Sequence, residues 1–133
     1  MKDRIHHINF IVRDLEAAVP AWERVLGMPV TTRDHLEARG VNIARFHLGH
    51  AWLALVQPVR EGTVPARYLA EHGEGFFLLA IGVDDLPAAV DRLGDDAFAG
   101  PARAGADDWH VRDLDPAQLF GAQVQLAADG QSD

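Results

Sequence analysis

Alternating apolar and polar side chains near the start of the chain predict a half-buried strand over residues 5–12. Because successive side chains of a strand point to opposite faces, Ile8 and Phe10 are expected on one face of a sheet. His7 and Asn9 are expected on the other face. The apolar spacing then changes to three or four residues, which predicts an amphipathic helix directly after the strand.

The same pattern predicts the remaining elements. Asp14 and Asp85 each precede an apolar stretch with helical spacing, so each is expected to cap a helix. A shorter helix is predicted over residues 64–72. Further short strands are predicted over residues 28–33, 41–48, 50–57, 76–83, 97–99, 109–114 and 122–127. The predicted fold is therefore α+β, with two successive β-α-β-β-β units.

The chain repeats part of itself. Residues 12–19, VRDLEAAV, match residues 83–90, VDDLPAAV, and 83 minus 12 gives an offset of 71 residues. We interpret this match as an internal duplication. Under the same offset, one pseudo-symmetry relates four positions on the first and fourth strands of the two units, namely His7, Ala54, Leu78 and Gln125.

Composition and charge narrow the possible functions. The 133 residues suit one compact domain, and no apolar run approaches the roughly 20 residues that cross a bilayer. The net charge of −8 disfavours nucleic acid and anionic membranes as partners. The first residues lack the apolar segment of a signal peptide, so a cytoplasmic location is expected. The chain has no cysteine, so any metal would need His, Asp or Glu.

Four stretches of sequence carry a resemblance to a known family. They are HHINFIVRDLEAAVPAWERVLGMP at residues 6–29, GVNIARFHLGHAWLALVQP at 40–58, YLAEHGEGFFLLAIGVDDLPAAVDRL at 68–93 and DPAQLFGAQVQL at 115–126. The chain resembles the vicinal oxygen chelate (VOC) superfamily, also called the glyoxalase, bleomycin-resistance and dioxygenase superfamily. Within it, the chain is most similar to the methylmalonyl-CoA epimerase branch.

The resemblance implies two tandem modules that form a cupped mixed sheet around one cavity, commonly in a homodimer. A single VOC domain is expected to contain module one at residues 4–58 and module two at residues 75–128. A connecting segment at 59–74 and a flexible tail at 129–133 complete the expected organisation.

For metal-dependent members, the resemblance implies a divalent cation held by four side chains. The corresponding positions here are His7, Ala54, Leu78 and Gln125. Ala54 and Leu78 have no donor atom, and Gln125 offers a neutral amide in place of a carboxylate. One imidazole and one amide supply too few ligands and too little charge for such an ion. The metal site is therefore predicted to be degenerate, and no cofactor is expected.

The acid/base carboxylate of the epimerases corresponds to Ala38, with Glu37 beside it. For His7 several roles stay open. It is either a residue inherited from a metal-binding ancestor and hydrogen-bonded to Gln125 or Asn9, a ligand-binding ring, a general acid or base, or a metal ligand.

The function predicted from these residues is binding of a small, partly apolar organic molecule. The expected ligand-binding residues are His7, Asn9, His50, Trp52, Ala54, Leu78, Gln123 and Gln125. The alternative is a metal-dependent isomerase or lyase resembling methylmalonyl-CoA epimerase. It would bind Co, Mn, Ni or Zn through replacement ligands from His50, Glu37 or a partner chain. A third hypothesis is an interaction module whose pocket is filled by side chains.

Overall fold

The structure of the protein is a computed structural model that describes residues 4–130. Its strands are β1 (Arg4–Ile11), β2 (Thr32–Leu36), β3 (Val41–Leu48), β4 (Ala51–Pro58), β5 (Gly75–Gly82), β6 (Arg103–Ala104), β7 (His110–Asp113) and β8 (Val124–Ala128). Its α-helices are α1 (Leu15–Leu26), α2 (Val64–His72) and α3 (Leu86–Leu93), and short 3-10 helices span Asp95–Ala97 and Pro116–Leu119. Residues 131–133 of the predicted tail lie outside the described residues.

The order of the elements confirms the predicted α+β class. β1, α1, β2, β3 and β4 make the first β-α-β-β-β module, and β5, α3, β6, β7 and β8 make the second. The strands form a mixed sheet in the order β2-β3-β4-β1-β5-β8-β7-β6, in which β5 and β8 are parallel. The chain divides into two compact units, one of residues 8–77 and one that joins residues up to 7 with residues from 78 onward.

The backbone hydrogen bonds repeat the offset seen in the sequence. Val12 N donates to Val56 O at 2.9 Å, and Val83 N donates to Ala127 O at 2.8 Å. The donors differ by 83 minus 12 and the acceptors by 127 minus 56, which is 71 in both cases. The two modules therefore pair their first and fourth strands in the same register.

Both predicted helix caps are confirmed. Asp14 Oδ1 accepts a hydrogen bond from Glu16 N, and Asp85 Oδ1 accepts one from Ala88 N, each at 3.1 Å. Such caps satisfy backbone donors that have no partner within the helix. The glycine at the end of α1, Gly27, adopts a left-handed φ of 70°. Among the helices of residues 4–130, none has the length and hydropathy needed to cross a bilayer.

Each of the two units has its own hydrophobic cluster beneath a helix. The cluster under α1 consists of Val12, Leu15, Val19, Ala44, Phe46 and Leu55. The cluster under α3 consists of Val83, Leu86, Ala89, Ala97, Phe98, Leu126 and Ala128. Because strand residues alternate between faces, the neighbours of these residues along the strands face away from the helices.

Two predicted strands are wrong. The strand predicted over residues 28–33 begins later, as β2, because Met28 and Val30 pack against the cluster under α1 instead of pairing. The strand predicted over residues 97–99 is reduced to an isolated bridge at Phe98. In both cases apolar side chains packed beneath a helix had produced a strand-like pattern.

Phe46 tests the assignment of the core because its side chain is fully buried under α1. The Phe46→Ala variant is expected to lower the free energy of unfolding by about 3–5 kcal/mol, since it leaves a cavity. Urea denaturation followed by circular dichroism measures this change. Phe120 is completely exposed, so Phe120→Ala is the matched control, expected to change stability by less than about 0.5 kcal/mol. Equal losses in the two variants would contradict the assignment.

Candidate functional site

Three of the four positions related by the duplication lie in the unit that contains β8. His7, Leu78 and Gln125 are 4%, 2% and 4% exposed, so all three are buried. Gln125 faces away from α3 because Leu126, the next residue, packs beneath that helix. Gln123 precedes β8 and is half-buried, and its carbonyl oxygen accepts a hydrogen bond from Leu79 N at 3.1 Å.

A chain of hydrogen bonds runs from Arg4 to His7. Arg4 Nη2 donates to Asp129 Oδ2 at 2.7 Å, and Asp129 Oδ1 lies 3.0 Å from His6 Nε2. The Nδ1 atoms of His6 and His7 lie 2.9 Å apart. His6 is therefore the link between the carboxylate of Asp129 and His7.

The carboxylate at one end of this chain determines where the imidazole hydrogens lie. Asp129 can only accept, so His6 Nε2 carries a hydrogen and donates it. Burial lowers the pKa of His6 more than its hydrogen bond to Asp129 raises it, so His6 is neutral and its Nδ1 is an acceptor. His7 Nδ1 therefore donates to His6, and in the neutral form of His7 its Nε2 is an acceptor. In this tautomer His7 accepts a hydrogen bond or a proton at Nε2.

Trp109 fixes the orientation of both imidazoles. The ring of His7 stacks on it with centroids 4.7 Å apart and an interplanar angle of 13°. The ring of His6 meets the same indole edge-on, with centroids 4.5 Å apart. The sequence had indicated Trp109 only as the start of a strand. No local pattern reveals that a residue about a hundred positions away packs against His7.

Gln125 is held by an ion pair on β6 and β7. Its Nε2 donates to Asp113 Oδ1 at 3.0 Å. Asp113 Oδ2 in turn accepts from Nε and Nη2 of Arg103 at 3.1 Å and 2.9 Å. The orientation of the Gln125 amide is therefore fixed by the carboxylate of Asp113.

In the unit of residues 8–77, the face away from α1 carries a buried cation. Arg45 is 1% exposed and lies directly opposite Ala54 in the register of β3 and β4. Its Nε donates to Thr32 Oγ1 at 3.0 Å, and its Nη2 donates to Asp34 Oδ2 at 3.3 Å. The guanidinium carbon lies 4.5 Å from the centroid of the Trp52 ring. Arg45 was missed because it stands in a strand predicted only from its apolar neighbours, although a charge in such a strand is itself a signal.

Three of the predicted ligand-binding residues in this unit have different environments. Trp52 lies on β4 and stacks on His47 with centroids 4.3 Å apart. His50 lies in the exposed turn before β4 instead of within the strand. Asn9 lies on β1, and its Oδ1 is buried without a hydrogen-bond partner among residues 4–130.

Glu37 belongs to an exposed cluster on the hairpin between β2 and β3. His35 Nε2 lies 2.7 Å from Glu37 Oε1, and His35 Nδ1 lies 2.7 Å from Asn42 Oδ1. The hydrogen bond to Glu37 raises the pKa of His35, and the same bond lowers the pKa of Glu37. β3 has eight residues and separates Glu37 from His50 by about 26 Å. These two predicted replacement ligands therefore cannot bind one ion within a single chain.

The positions at which the resemblance implies a divalent cation do not fit one. Ala54 and Leu78 carry only carbon, His7 offers one nitrogen, and Gln125 is a neutral amide oriented by Asp113. Among residues 4–130, no group of three or more His, Asp or Glu side chains is close enough to bind a metal ion. Of these four side chains, His7 and Gln125 offer hydrogen bonding, and Ala54 and Leu78 offer apolar surface.

Stability is expected to depend on pH through two histidines with opposite shifts. The pKa of His6 is lower in the folded protein, so its contribution is present above about pH 6.5 and is lost as the pH falls towards its folded pKa. The pKa of His35 is raised, so its contribution is present below about pH 6.5 and is lost as the pH rises through its folded pKa. Relative to the wild type, His6→Gln should make unfolding free energy rise less with pH, and His35→Gln should make it rise more.

Urea denaturation measures the change of unfolding free energy with pH for both variants. The range from about pH 5.5 to pH 8 brackets the ordinary pKa of histidine. The two variants serve as controls for each other because each removes one imidazole. If both variants shift the slope in the same direction, the protonation states assigned to His6 and His35 are wrong.

The sequence of the chain is similar to a family profile and to proteins from other organisms. The sequence profile of the Glyoxalase/Bleomycin resistance protein/Dioxygenase superfamily matches residues 6–112. The chain is 29% identical over 131 residues to an ethylmalonyl-CoA/methylmalonyl-CoA epimerase of Cereibacter sphaeroides, which covers 95% of this chain and 98% of that protein. It is 26% identical over 130 residues to the uncharacterized protein YqjC of Bacillus subtilis, covering 93% and 91% of the two chains.

Solved structures of similar proteins include two methylmalonyl-CoA epimerases. A variant of the Streptomyces coelicolor enzyme, in complex with 2-nitronate-propionyl-CoA, superimposes with a TM-score of 0.90 at 26% identity and covers 98% of this chain and 100% of that chain. The Mycobacterium tuberculosis enzyme gives a TM-score of 0.87 at 25% identity, with coverage of 96% and 88%. With its profile match across residues 6–112, this chain belongs to the glyoxalase/bleomycin resistance protein/dioxygenase superfamily.

Proposed function

We propose that this protein binds a small, partly apolar organic molecule and does so without a divalent metal ion. The observation that carries the proposal is the set of side chains at the four positions where the resemblance implies metal ligands. Ala54 and Leu78 cannot coordinate an ion, and Asp113 orients the amide of Gln125. His7 is left as the one imidazole, with its Nδ1 engaged by His6.

The polar groups near these positions suit recognition of an organic ligand. Binding sites for small molecules are mostly apolar and use a few placed polar groups for specificity. His7 Nε2 is an acceptor held in place by the stack on Trp109. Leu78 and Ala80 supply apolar surface on the same face of β5. We propose a ligand that donates a hydrogen bond to His7.

The relatives indicate which molecules to try first. The Cereibacter sphaeroides relative is an ethylmalonyl-CoA/methylmalonyl-CoA epimerase, and the Streptomyces coelicolor structure holds 2-nitronate-propionyl-CoA. We therefore place acyl-CoA thioesters and their free acids at the head of the ligand panel. A homodimer and a cytoplasmic location stay predictions from the sequence.

A second candidate function is proton transfer in an isomerase or lyase resembling methylmalonyl-CoA epimerase. The hydrogen-bond chain from Asp129 through His6 favours it, because the chain leaves Nε2 of His7 able to take a proton. This function is disfavoured because Ala38 stands at the position of the epimerase carboxylate. Glu37, the residue beside Ala38, is hydrogen-bonded to His35. This function would need a second acid/base group and another way to stabilise the enolate.

Metal analysis separates the two functions. Protein purified without chelators is expected to contain no stoichiometric Co, Mn, Ni or Zn, because one imidazole and one amide bind such ions weakly. Inductively coupled plasma mass spectrometry measures the content, and calorimetric titration with Co²⁺ measures the affinity. Leu78→His restores the imidazole implied by the resemblance and is the positive control, expected to bind Co²⁺ more tightly than the wild type. Stoichiometric metal that disappears in His7→Ala would overturn the proposal of metal-free binding.

Ligand binding is tested by the melting temperature in the presence of methylmalonyl-CoA, succinyl-CoA, their free acids and aromatic antibiotics. A bound ligand at about 100 times its Kd is expected to stabilise the folded protein by about 2.7 kcal/mol. His7→Asn should weaken binding by up to roughly tenfold, since it removes one hydrogen-bond acceptor. His72→Asn is the matched control because His72 is exposed on α2. If no compound of the panel raises the melting temperature, the result would favour the third hypothesis, an interaction module whose pocket is filled by side chains.

A further inference from the structure

A groove of about 800 Å³ lies beside α3, in the unit that contains β8. Its volume falls within the range of roughly 300–1,000 Å³ that is typical of small-molecule sites. Two of the residues that line it, Leu86 and Ala128, belong to the hydrophobic cluster under α3. The apolar part of the lining consists of Leu86, Pro87, Val90, Ala102 and Ala128.

The groove is separate from the candidate site because it lies on the other side of the strands. Arg112 on β7 lines the groove, and the next residue, Asp113, accepts the hydrogen bond from Gln125. Because side chains alternate along a strand, Arg112 and Asp113 point to opposite faces. Gln125 faces away from α3, so the groove lies on the side that α3 covers.

The groove is open because the second module covers its strands less completely than the first. α3 has eight residues where α1 has twelve, and the edge strand β6 has two residues where β2 has five. Apolar surface of the cluster under α3 therefore borders a space that a ligand can reach from solvent.

The polar part of the lining is mainly acidic. Asp84, Asp85 and Asp91 all line the groove, and all three are exposed. The carboxylates of Asp84 and Asp91 have no hydrogen bond or ion pair with any other residue between 4 and 130. Asp85 caps α3 through a hydrogen bond from Ala88 N and keeps its charge. Two carboxylates are therefore available to a ligand without breaking an existing contact.

The positive charge of Arg112 is already paired. Arg112 is the only arginine or lysine among the described residues that line the groove. Its Nη1 donates to Asp95 Oδ1 at 3.0 Å, and its Nε donates to Gly100 O at 2.7 Å. Its guanidinium carbon lies 4.5 Å from the centroid of the Phe98 ring. The carboxylates of the lining are thus left without a counter-charge, in a chain whose net charge is −8. Charge complementarity favours a cationic ligand.

The carboxylates stand at two separated places along α3. Asp85 precedes the first residue of the helix, and Asp91 lies six residues further along the chain. At 1.5 Å per residue, this spacing corresponds to about 9 Å along the helix axis. The residues between them that line the groove, Leu86, Pro87 and Val90, are apolar. The order of acidic, apolar and acidic surface matches a linear molecule with a positive charge at each end.

We infer that the groove beside α3 is a binding site for an aliphatic diamine. One ammonium group pairs with Asp84 and Asp85, the other pairs with Asp91, and the methylene chain lies over the apolar residues between them. An exposed ion pair contributes little by itself, so both pairs and the burial of the chain are needed for binding. The inference adds a second ligand site and does not depend on the proposed function.

NMR titration of the full ¹⁵N-labelled chain with three probes tests the inference. The probes are 1,6-diaminohexane, hexylamine, which lacks the second charge, and Mg²⁺, which carries two charges without a chain. The diamine is expected to bind most tightly and to shift amide signals of α3 and β7. Its affinity should fall as the salt concentration rises, because salt screens exposed charges.

Three variants at exposed positions separate the contributions of charge and shape. Asp91→Asn should weaken binding of the diamine by about two- to fivefold, since it removes one ion pair. Glu61→Gln is the matched control, because Glu61 is exposed in the other unit and the change removes the same charge. It should bind the diamine like the wild type. Ala102→Phe keeps every charge and fills the groove, so it should weaken binding of both amines.

Four outcomes would overturn the inference. Equal affinities for Mg²⁺ and the diamine, or equal weakening in Asp91→Asn and Glu61→Gln, would show that negative charge alone attracts the cation. Unchanged binding in Ala102→Phe would place the diamine outside the groove. Tighter binding of tetralysine than of the diamine would assign the groove to a basic protein partner. Circular dichroism checks that each variant is folded.

His7→Asn distinguishes this inference from the proposed function. This variant should bind the diamine like the wild type, because His7 does not line the groove. If diamine binding is lost in His7→Asn, the groove is not the site and the inference is overturned. Failure of the acyl-CoA panel with retained diamine binding would leave the groove as a site and reject only the proposed function.

Discussion

The packing of α1 and α3 against alternate residues of the strands is the constraint on which the rest of the structure depends. Each helix buries one face of its strands, as Phe46 under α1 and Leu126 under α3 illustrate. Because the period of a strand is two, this burial also decides what the other face presents. Arg45 and Gln125 face away from the helices for that reason alone. The hydrophobic core thereby decides which residues occupy the opposite face of the strands, although none of them contributes to that core.

Much of the fold was predictable because it follows from sequence patterns that extend over only a few residues. Caps at Asp14 and Asp85, the helix at 64–72 and the strand at 41–48 follow from spacing within a few residues, and the structure confirms each of them. The repeat predicted the two modules because both halves carry the same pattern. The errors at residues 28–33 have a physical cause, since apolar side chains can pack beneath a helix without joining a sheet.

The candidate site was less predictable because its contacts join distant parts of the chain. His6 meets Asp129 across 123 positions, and no spacing rule connects them. The sequence drew attention to His7 through the family resemblance but gave no sign of its stack on Trp109. Arg45 differs, because a charged residue within an otherwise apolar strand is visible in the sequence.

The hydrogen bond between Asp129 and His6 also determines which nitrogen of His7 carries a hydrogen. Asp129 follows directly after β8 and is exposed, yet its carboxylate sets the donor and acceptor order of two buried imidazoles. Without that carboxylate, either nitrogen of His6 is able to carry the hydrogen, and His7 loses its single tautomer. Proteolytic removal of Asp129 would therefore alter which nitrogen of a buried imidazole carries its hydrogen without removing any atom of that ring.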